Sequence, residues 1–391
     1  MLFTTSLIAV ATISFSVSAS PIERETKNLV SVPLRRNISI SSVKSLVEQG
    51  QRRIAAINGL TSLDTSLVGS GVVTNIIQGY LAPVSIGGNI WNLVVDTGSS
   101  TTWCGAQERC ERTATGTSTG NSVTVRYGSG SFSGTEYIDE VSFGGLTVTS
   151  QSIGAAFSAT GFQGTDGILG LGPIGLTVNT VAATSTVPTF MNNLKAQRSI
   201  TTEVLGVSFR SVSGRDTSSD NGVLTLGGVD TSQYTGPLTY FPKLQTGAAA
   251  RHWGISIAKF TYGSVTLQSS ATGIVDTGTT LIYIPDSAYN AFLAASGGRT
   301  DSVSGLASFT TKPTSNFGVT FGSTTYTLTP DQYLIPTAQY SFFGVASGKY
   351  YALISAGGLS GVNCLIGLKF LEHYYSVYDE TNSRIGFAAN S

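Results

Sequence analysis

Two five-residue phrases carry the residue types and spacing needed for acid–base chemistry. Asp96-Thr97-Gly98-Ser99-Ser100 and Asp276-Thr277-Gly278-Thr279-Thr280 each join a carboxylate to a glycine and flanking hydroxyls. Each also closes an apolar run, Leu93-Val94-Val95 in one case and Gly273-Ile274-Val275 in the other. A carboxylate at the end of a buried strand is costly unless it is hydrogen-bonded or used, and glycine lets the chain turn tightly around it. One such phrase, in a chain rich in Gly, Ser and Thr, reads as a turn in which Asp caps its own backbone. Two copies read differently, because their surroundings repeat. Gly167-Ile168-Leu169-Gly170 follows the first and Cys364-Leu365-Ile366-Gly367 the second. The duplication predicts a paired site in which each half supplies one acid, so that two carboxylates share a proton and activate a water.

Such a site needs two halves and a frame of strands. At 391 residues the chain is long enough for two lobes. Forty-six glycines and only two methionines fit short strands with tight turns better than a helical bundle. Val123, Val125 and Tyr127 alternate with polar residues, as do Val141 and Phe143, around Gly128-Ser129-Gly130-Ser131. That pattern is a β-hairpin with a glycine-rich tip. Helices are expected at Val187–Gln197 and Pro285–Ala295, each beginning beside a proline. Equal numbers of basic and acidic residues, with only 11% of the chain charged, leave no basic surface for nucleic acid and no polybasic membrane patch. Only His252 and His373 are available as histidines, and neither sits in a motif that places it beside a nucleophile. No Cys/His spacing suggests a metal, and no cofactor is implied.

Taken in order, Leu93–Trp103, Tyr127–Gly134, Thr165–Gly172, Leu224–Asp230, Tyr234–Gly236, the second Asp phrase and Phe370–Phe387 resemble the pepsin family of aspartic peptidases, especially its secreted basidiomycete type. The likeness runs from about Gly79 to the C-terminus. It implies an all-β, bilobal pepsin-like fold: two β-rich lobes related by a pseudo-twofold, with a β-hairpin flap over the central cleft. It implies a monomeric acid endopeptidase that acts on proteins and peptides and binds pepstatin-like inhibitors. Asp96 and Asp276 would be catalytic. Thr97 and Thr277 would bond across the lobes, Ser99 and Thr279 would hold the outer carboxylate oxygens, and Gly98 and Gly278 would allow close approach. Trp103 would hold the Tyr127 hydroxyl. Gly128 and Ser129 of the flap would pair with bound peptide, alongside Gly278 and Thr279. Val94, Tyr127 and Ile168 would line the first pocket, favouring large apolar or aromatic residues at the cut. Two departures stand out. Ser129 occupies a position where several mould enzymes carry Asp and accept Lys, and Leu368 follows Ile366-Gly367 where most relatives have Asp.

The ends of the chain divide further. Leu2–Val17, followed by Val17-Ser18-Ala19, reads as a secretory signal peptide over residues 1–19 and so as an extracellular protein. In that setting Cys104 and Cys110 should be oxidised, closing a small loop after Trp103. Cys364, beside Leu365-Ile366, reads as a buried and inert thiol. Residues 20–66 hold seven basic and four acidic residues, leaving fifteen basic and eighteen acidic in the rest. A positive leader therefore precedes a negative body and attracts it at neutral pH, less so as carboxylates protonate. The resemblance makes this a propeptide, with lobes at 67–205 and 206–391. The sequon Asn37-Ile38-Ser39 lies inside it.

Overall fold

Alternating apolar and polar residues fold much of the chain into strands. The computed structural model describes residues 29–40, 42–59, 76–110, 113, 115–128, 130–212, 214 and 218–391. The signal-peptide segment, the leader–body junction near residue 66 and Ser129 lie outside them.

The first half of the body contains β2 (Ile76–Ile86), β3 (Asn89–Asp96), β4 (Trp103–Cys104), β5 (Thr117–Arg126), β6 (Ser131–Phe143), β7 (Leu146–Thr160) and β8 (Gly167–Gly170). Strand β3 buries Trp91, Leu93 and Val95, the inward set of a period-two pattern. Strands β5 and β6 form the expected hairpin, in register from Val123↔Gly134 to Arg126↔Ser131. After α2 (Phe190–Ala196) come β9 (Val204–Ser208) and β10 (Ser218–Leu226). These strands form a thirteen-stranded sheet with β1 (Val30–Ile40), β11 (Tyr234–Pro242) and two C-terminal strands, Tyr374–Asp379 and Arg384–Asn390. The second half builds a seven-stranded sheet around β12 (Gly254–Tyr262), β13 (Val265–Val275) and β14 (Ile282–Ile284). Helix α3 spans Asp286–Ser296. Both helices expected from the sequence are present. The first starts at Phe190, after a capping box between Thr189 and Asn192.

The sequence repeat becomes a structural one. Strand β3 runs parallel to β8, with Leu93 opposite Gly167 and Asp96 opposite Gly170. Strand β13 runs parallel to Val362–Ile366, with Gly273 opposite Cys364 and Val275 opposite Ile366. All residues of β8 and of Val362–Ile366 are buried, as expected for parallel strands covered on both faces. Each pair delivers its Asp to the end of a strand fixed on both sides.

Two elements from residues 20–66 are part of this architecture. Strand β1 (Val30–Ile40) lies between β10 and β2 in the large sheet, paired antiparallel with both. Its Arg36 forms a buried ion pair with Glu372 at 2.7 Å. Helix α1 (Val43–Ile57) begins at Ser42, whose hydroxyl accepts from the Ser45 N–H. Val43, Leu46, Val47 and Ile54 repeat at helical spacing and pack with Ile274, Leu281, Tyr283, Leu306 and Leu365 of the body. Burial of each of these four side chains contributes roughly 1.5–3 kcal/mol. Gly50 faces the Tyr283 ring, where any Cβ would overlap the phenol. The close fit lets the Tyr283 hydroxyl donate to the carbonyls of Leu46 (3.1 Å) and Val47 (2.9 Å). Asn58 ends the helix and pairs through its side chain with both backbone groups of Val362, at 2.7 and 2.8 Å.

Candidate active site

The ends of β3 and β13 bring Asp96 and Asp276 together at the bottom of a cleft. The two Asp turns are mirror copies in their bonding. Gly98 N–H donates to Asp96 Oδ1 at 2.9 Å, and Gly278 N–H to Asp276 Oδ1 at 3.0 Å. The hydroxyls of Ser99 and Thr279 each donate to the other carboxylate oxygen at 2.5 Å. Behind them the threonines cross. Thr97 N–H donates to Thr277 Oγ1 (2.9 Å) and Thr277 N–H to Thr97 Oγ1 (3.1 Å). Thr277 also donates to the Val95 carbonyl at 2.9 Å and Thr97 to the Val275 carbonyl at 3.5 Å. A Cβ on Gly98 would collide with Asp276, and one on Gly278 with Asp96. Only glycine lets the two loops come this close.

The pair is deeply buried, with Asp96 2% and Asp276 0% exposed. Arg53 of α1 sits between them, with Nη2 3.1 Å from Asp96 Oδ1 and Nε 2.9 Å from Asp276 Oδ2. Burial alone would raise both carboxyls. At Asp96 the Arg53 guanidinium, Ser99 and Gly98 outweigh burial, and the group is held below its ordinary value. At Asp276 burial prevails, and repulsion from Asp96 adds to it, so the group is raised despite Arg53. Burial works against the charge on Arg53 too, but Asp276 and then Asp96 more than offset it.

The chain matches the eukaryotic aspartyl protease family model over residues 79–390. It belongs to that family. Polyporopepsin from Irpex lacteus is 42% identical over 334 residues, covering 83% of this chain and 97% of that protein. Aspergillopepsin-1 from Aspergillus oryzae is 30% identical over the full length of both. The crystal structure of the Irpex lacteus aspartic proteinase superposes with a TM-score of 0.78 at 38% identity, covering 93% of this chain and 98% of that one. The protein is a pepsin-family aspartic-type endopeptidase, and its predominantly β fold is of the pepsin type.

Most of the remaining site residues expected from sequence surround the dyad. Val94, Tyr127 and Ile168 line a cavity of about 60 Å³ with Asp96 and Gly278, joined by Phe162. Gly128, Gly278 and Thr279 meet Tyr283 in a neighbouring hollow. The flap tip rests on the leader helix, with Arg52 Nε donating to the Gly128 carbonyl at 3.2 Å. Trp103 is fully buried and stacks on Phe132 at 4.3 Å. Its indole N–H faces the Tyr127 hydroxyl and lowers that phenol against the rise that burial and Asp96 impose, although neither polar atom has a partner at full hydrogen-bond geometry. With α1 beneath the flap, Tyr127 packs edge-on against Phe162 at 5.3 Å. Asp166 accepts from the Asn92 N–H at 2.7 Å and ties its turn to strand β3. Cys104 and Cys110 form the disulfide, and Cys364 is buried and free.

Arg53, Tyr283, Phe162 and His252 were not singled out from the sequence as cleft residues. For Arg53 a signal existed, since it lies among the helically spaced apolar residues of α1. His252 follows a short 3-10 turn, and nothing in its local sequence points to the cleft.

Proposed function

We propose that this endopeptidase is a secreted, acid-acting, monomeric enzyme made as a latent precursor, with Asp96 and Asp276 as its catalytic pair. The observation that carries the reading is the mirrored hydrogen-bonding of two facing carboxylates clamped on one guanidinium. Two such groups share one proton once the cation leaves. The ionised member takes a proton from a water held between them, and that water attacks the peptide carbonyl. The protonated member donates to the carbonyl oxygen, and the gem-diol collapses to acid and amine.

Thr97 and Thr277 lock the two loops, Ser99 and Thr279 orient the carboxylates, and Tyr127 with Gly128 and Ser129 closes over the peptide as an added strand. Val94, Tyr127 and Ile168 take a large apolar side chain before the cut. Without an acid at Ser129, a Lys there would be buried unpaired. Residues 20–66 act as the inhibitory leader and 1–19 as the signal peptide. The lobes divide near residue 205. The reading is supported by α1, whose Arg53 occupies the carboxylate face that a substrate would need, and by the relatives described above.

Guanidinium binding lowers both carboxyls, so release of α1 takes up protons, and acid favours release. Incubation of the full chain at pH 3–4 should produce a shorter species that cleaves an apolar-centred peptide. Pepstatin should titrate it to zero activity at one equivalent, and N-terminal sequencing should find its start near residue 67. An acid-treated chain that neither shortens nor binds pepstatin would overturn the reading.

A further inference from the structure

A second, larger hollow of about 190 Å³ shares Arg53 and Tyr127 with the first but has none of Val94, Phe162 or Ile168 in its lining. Ser99 comes to it from the first Asp loop, Arg126 from the flap strand β5, and Leu176 and His252 from two short 3-10 segments. Arg53 and Ile57 of α1 complete its lining. His252 is held by its own N–H, which donates to the Ala249 carbonyl at 3.0 Å, while its Nδ1 is buried with no hydrogen-bond partner. Buried polar atoms are seldom left unpaired, and an orphan is a candidate for a partner from outside the chain.

The charge around this hollow has one sign. Arg126 and His252 line it, and no Asp or Glu does so among the described residues. Arg251 adjoins the imidazole on its own segment, Lys243 acts on it from beyond the end of β11, and Arg53 from α1, with Asp96 as the opposing carboxylate. Lys243 is itself paired with Glu380 at 2.8 Å.

We propose that this hollow is a specificity subsite for a carboxylate side chain on the peptide segment that follows the cut, recognised by His252 with Arg126 beside it. The inference rests on the proposed assignment of the Val94–Ile168 pocket to the residue before the cut, which leaves this hollow to the chain beyond it. With α1 docked, burial and then Arg53 hold the imidazole down at about 4, against the pull of Asp96. Withdrawal of α1 removes the guanidinium and admits water. Both depressing influences weaken, and the imidazole moves back toward its ordinary value of about 6.5. A substrate Glu ionises above about 4.3. Carboxylate and imidazolium therefore coexist between those two values, and the preference peaks there.

The test uses the acid-activated enzyme and peptides that differ only in Glu, Gln or Lys at the first or second position after the cut, or at the position before it. From kcat/KM between pH 3 and 6.5, Glu should exceed Gln by about tenfold near pH 5, approach parity at pH 3, and decline again above pH 6. Lys should be poorest throughout. His252→Gln should bring the Glu:Gln ratio near one and flatten its pH profile, and Arg126→Gln should lower the ratio without changing the profile's shape. Because each ratio is read within one preparation, partial misfolding of a variant cancels. A flat wild-type ratio with the apolar preference before the cut intact would overturn the subsite alone, as would a His252→Gln enzyme that keeps the wild-type ratio. Glu favoured before the cut would overturn it differently, by reversing the direction in which peptide lies in the cleft.

Discussion

Around Asp96 and Asp276 the same two bonds recur with nearly the same lengths, yet the two carboxyls sit on opposite sides of their ordinary value. Asp96 accepts from Arg53 at both of its oxygens, at 3.1 and 3.5 Å. Asp276 meets the guanidinium at one oxygen, is fully enclosed, and faces the charge on its twin. Duplicated local geometry therefore does not produce duplicated protonation. Burial and the charge of its twin raise Asp276, while Arg53, Ser99 and Gly98 together outweigh burial at Asp96.

The most severe way to break this comparison is to remove either half. Asp96→Asn and Asp276→Asn, trimmed by added wild-type enzyme, should each lose peptide hydrolysis by about a thousandfold or more, with melting temperature little changed. Turnover near wild type in either variant would end the dyad assignment.

Removing the cation tests the asymmetry itself. Arg53→Ala leaves two buried carboxylates without their partner, a change typically worth about 3–5 kcal/mol. The full-length variant should cleave peptide at pH 6 without acid treatment, where the parent chain is expected to be latent. A variant as latent as the parent would show that the apolar face of α1 suffices to hold the cleft shut.

A smaller difference is expected between the threonines. Thr277→Ala removes two bonds of 2.9 Å, while Thr97→Ala removes bonds of 3.1 and 3.5 Å. Each loss leaves buried groups unpaired at about 1–3 kcal/mol, which corresponds to a drop of several degrees. Calorimetry should rank Thr277→Ala as the less stable, with the Ser variants partly restored. The reverse ranking would show that the halves are not stitched as the distances suggest.

The finest probe is Leu368, which is buried and whose N–H donates to the Thr279 carbonyl at 2.7 Å. Burial would keep an introduced carboxyl protonated, so it would alter the Asp276 loop by hydrogen bonding more than by charge. Leu368→Asp should move the upper limb of the pH–rate profile downward by less than about one unit. An upward shift would mean that repulsion dominates.

The residues proposed for the chemistry were legible because they repeat: the two Asp phrases, and the parallel strands behind them, share type and order. The hairpin was legible from period two, and the disulfide from Cys104 and Cys110 standing six residues apart. The leader was legible only as net charge. Its strand β1 was not expected, because a central position in a sheet is decided by distant partners, Leu226 for Val30 and Leu81 for Arg35. Its helix was overlooked, although Val43, Leu46, Val47 and Ile54 are spaced for one. His252 was read as structural because a single histidine carries no periodicity, and its place in the cleft depends on β5 and the first Asp loop.

Strand β1 has a further consequence. It is the middle plank of the large sheet, hydrogen-bonded to β10 on one side and β2 on the other. Cutting away a leader that ends near residue 66 would do more than uncork the cleft, because it would pull out that plank and leave two facing rows of unpaired amides and carbonyls. Such edges invite pairing with whatever strand is at hand. If residues 20–66 are removed as proposed, maturation would be an exchange of strands as well as a cleavage, and a body synthesised without them would have to fold around a gap.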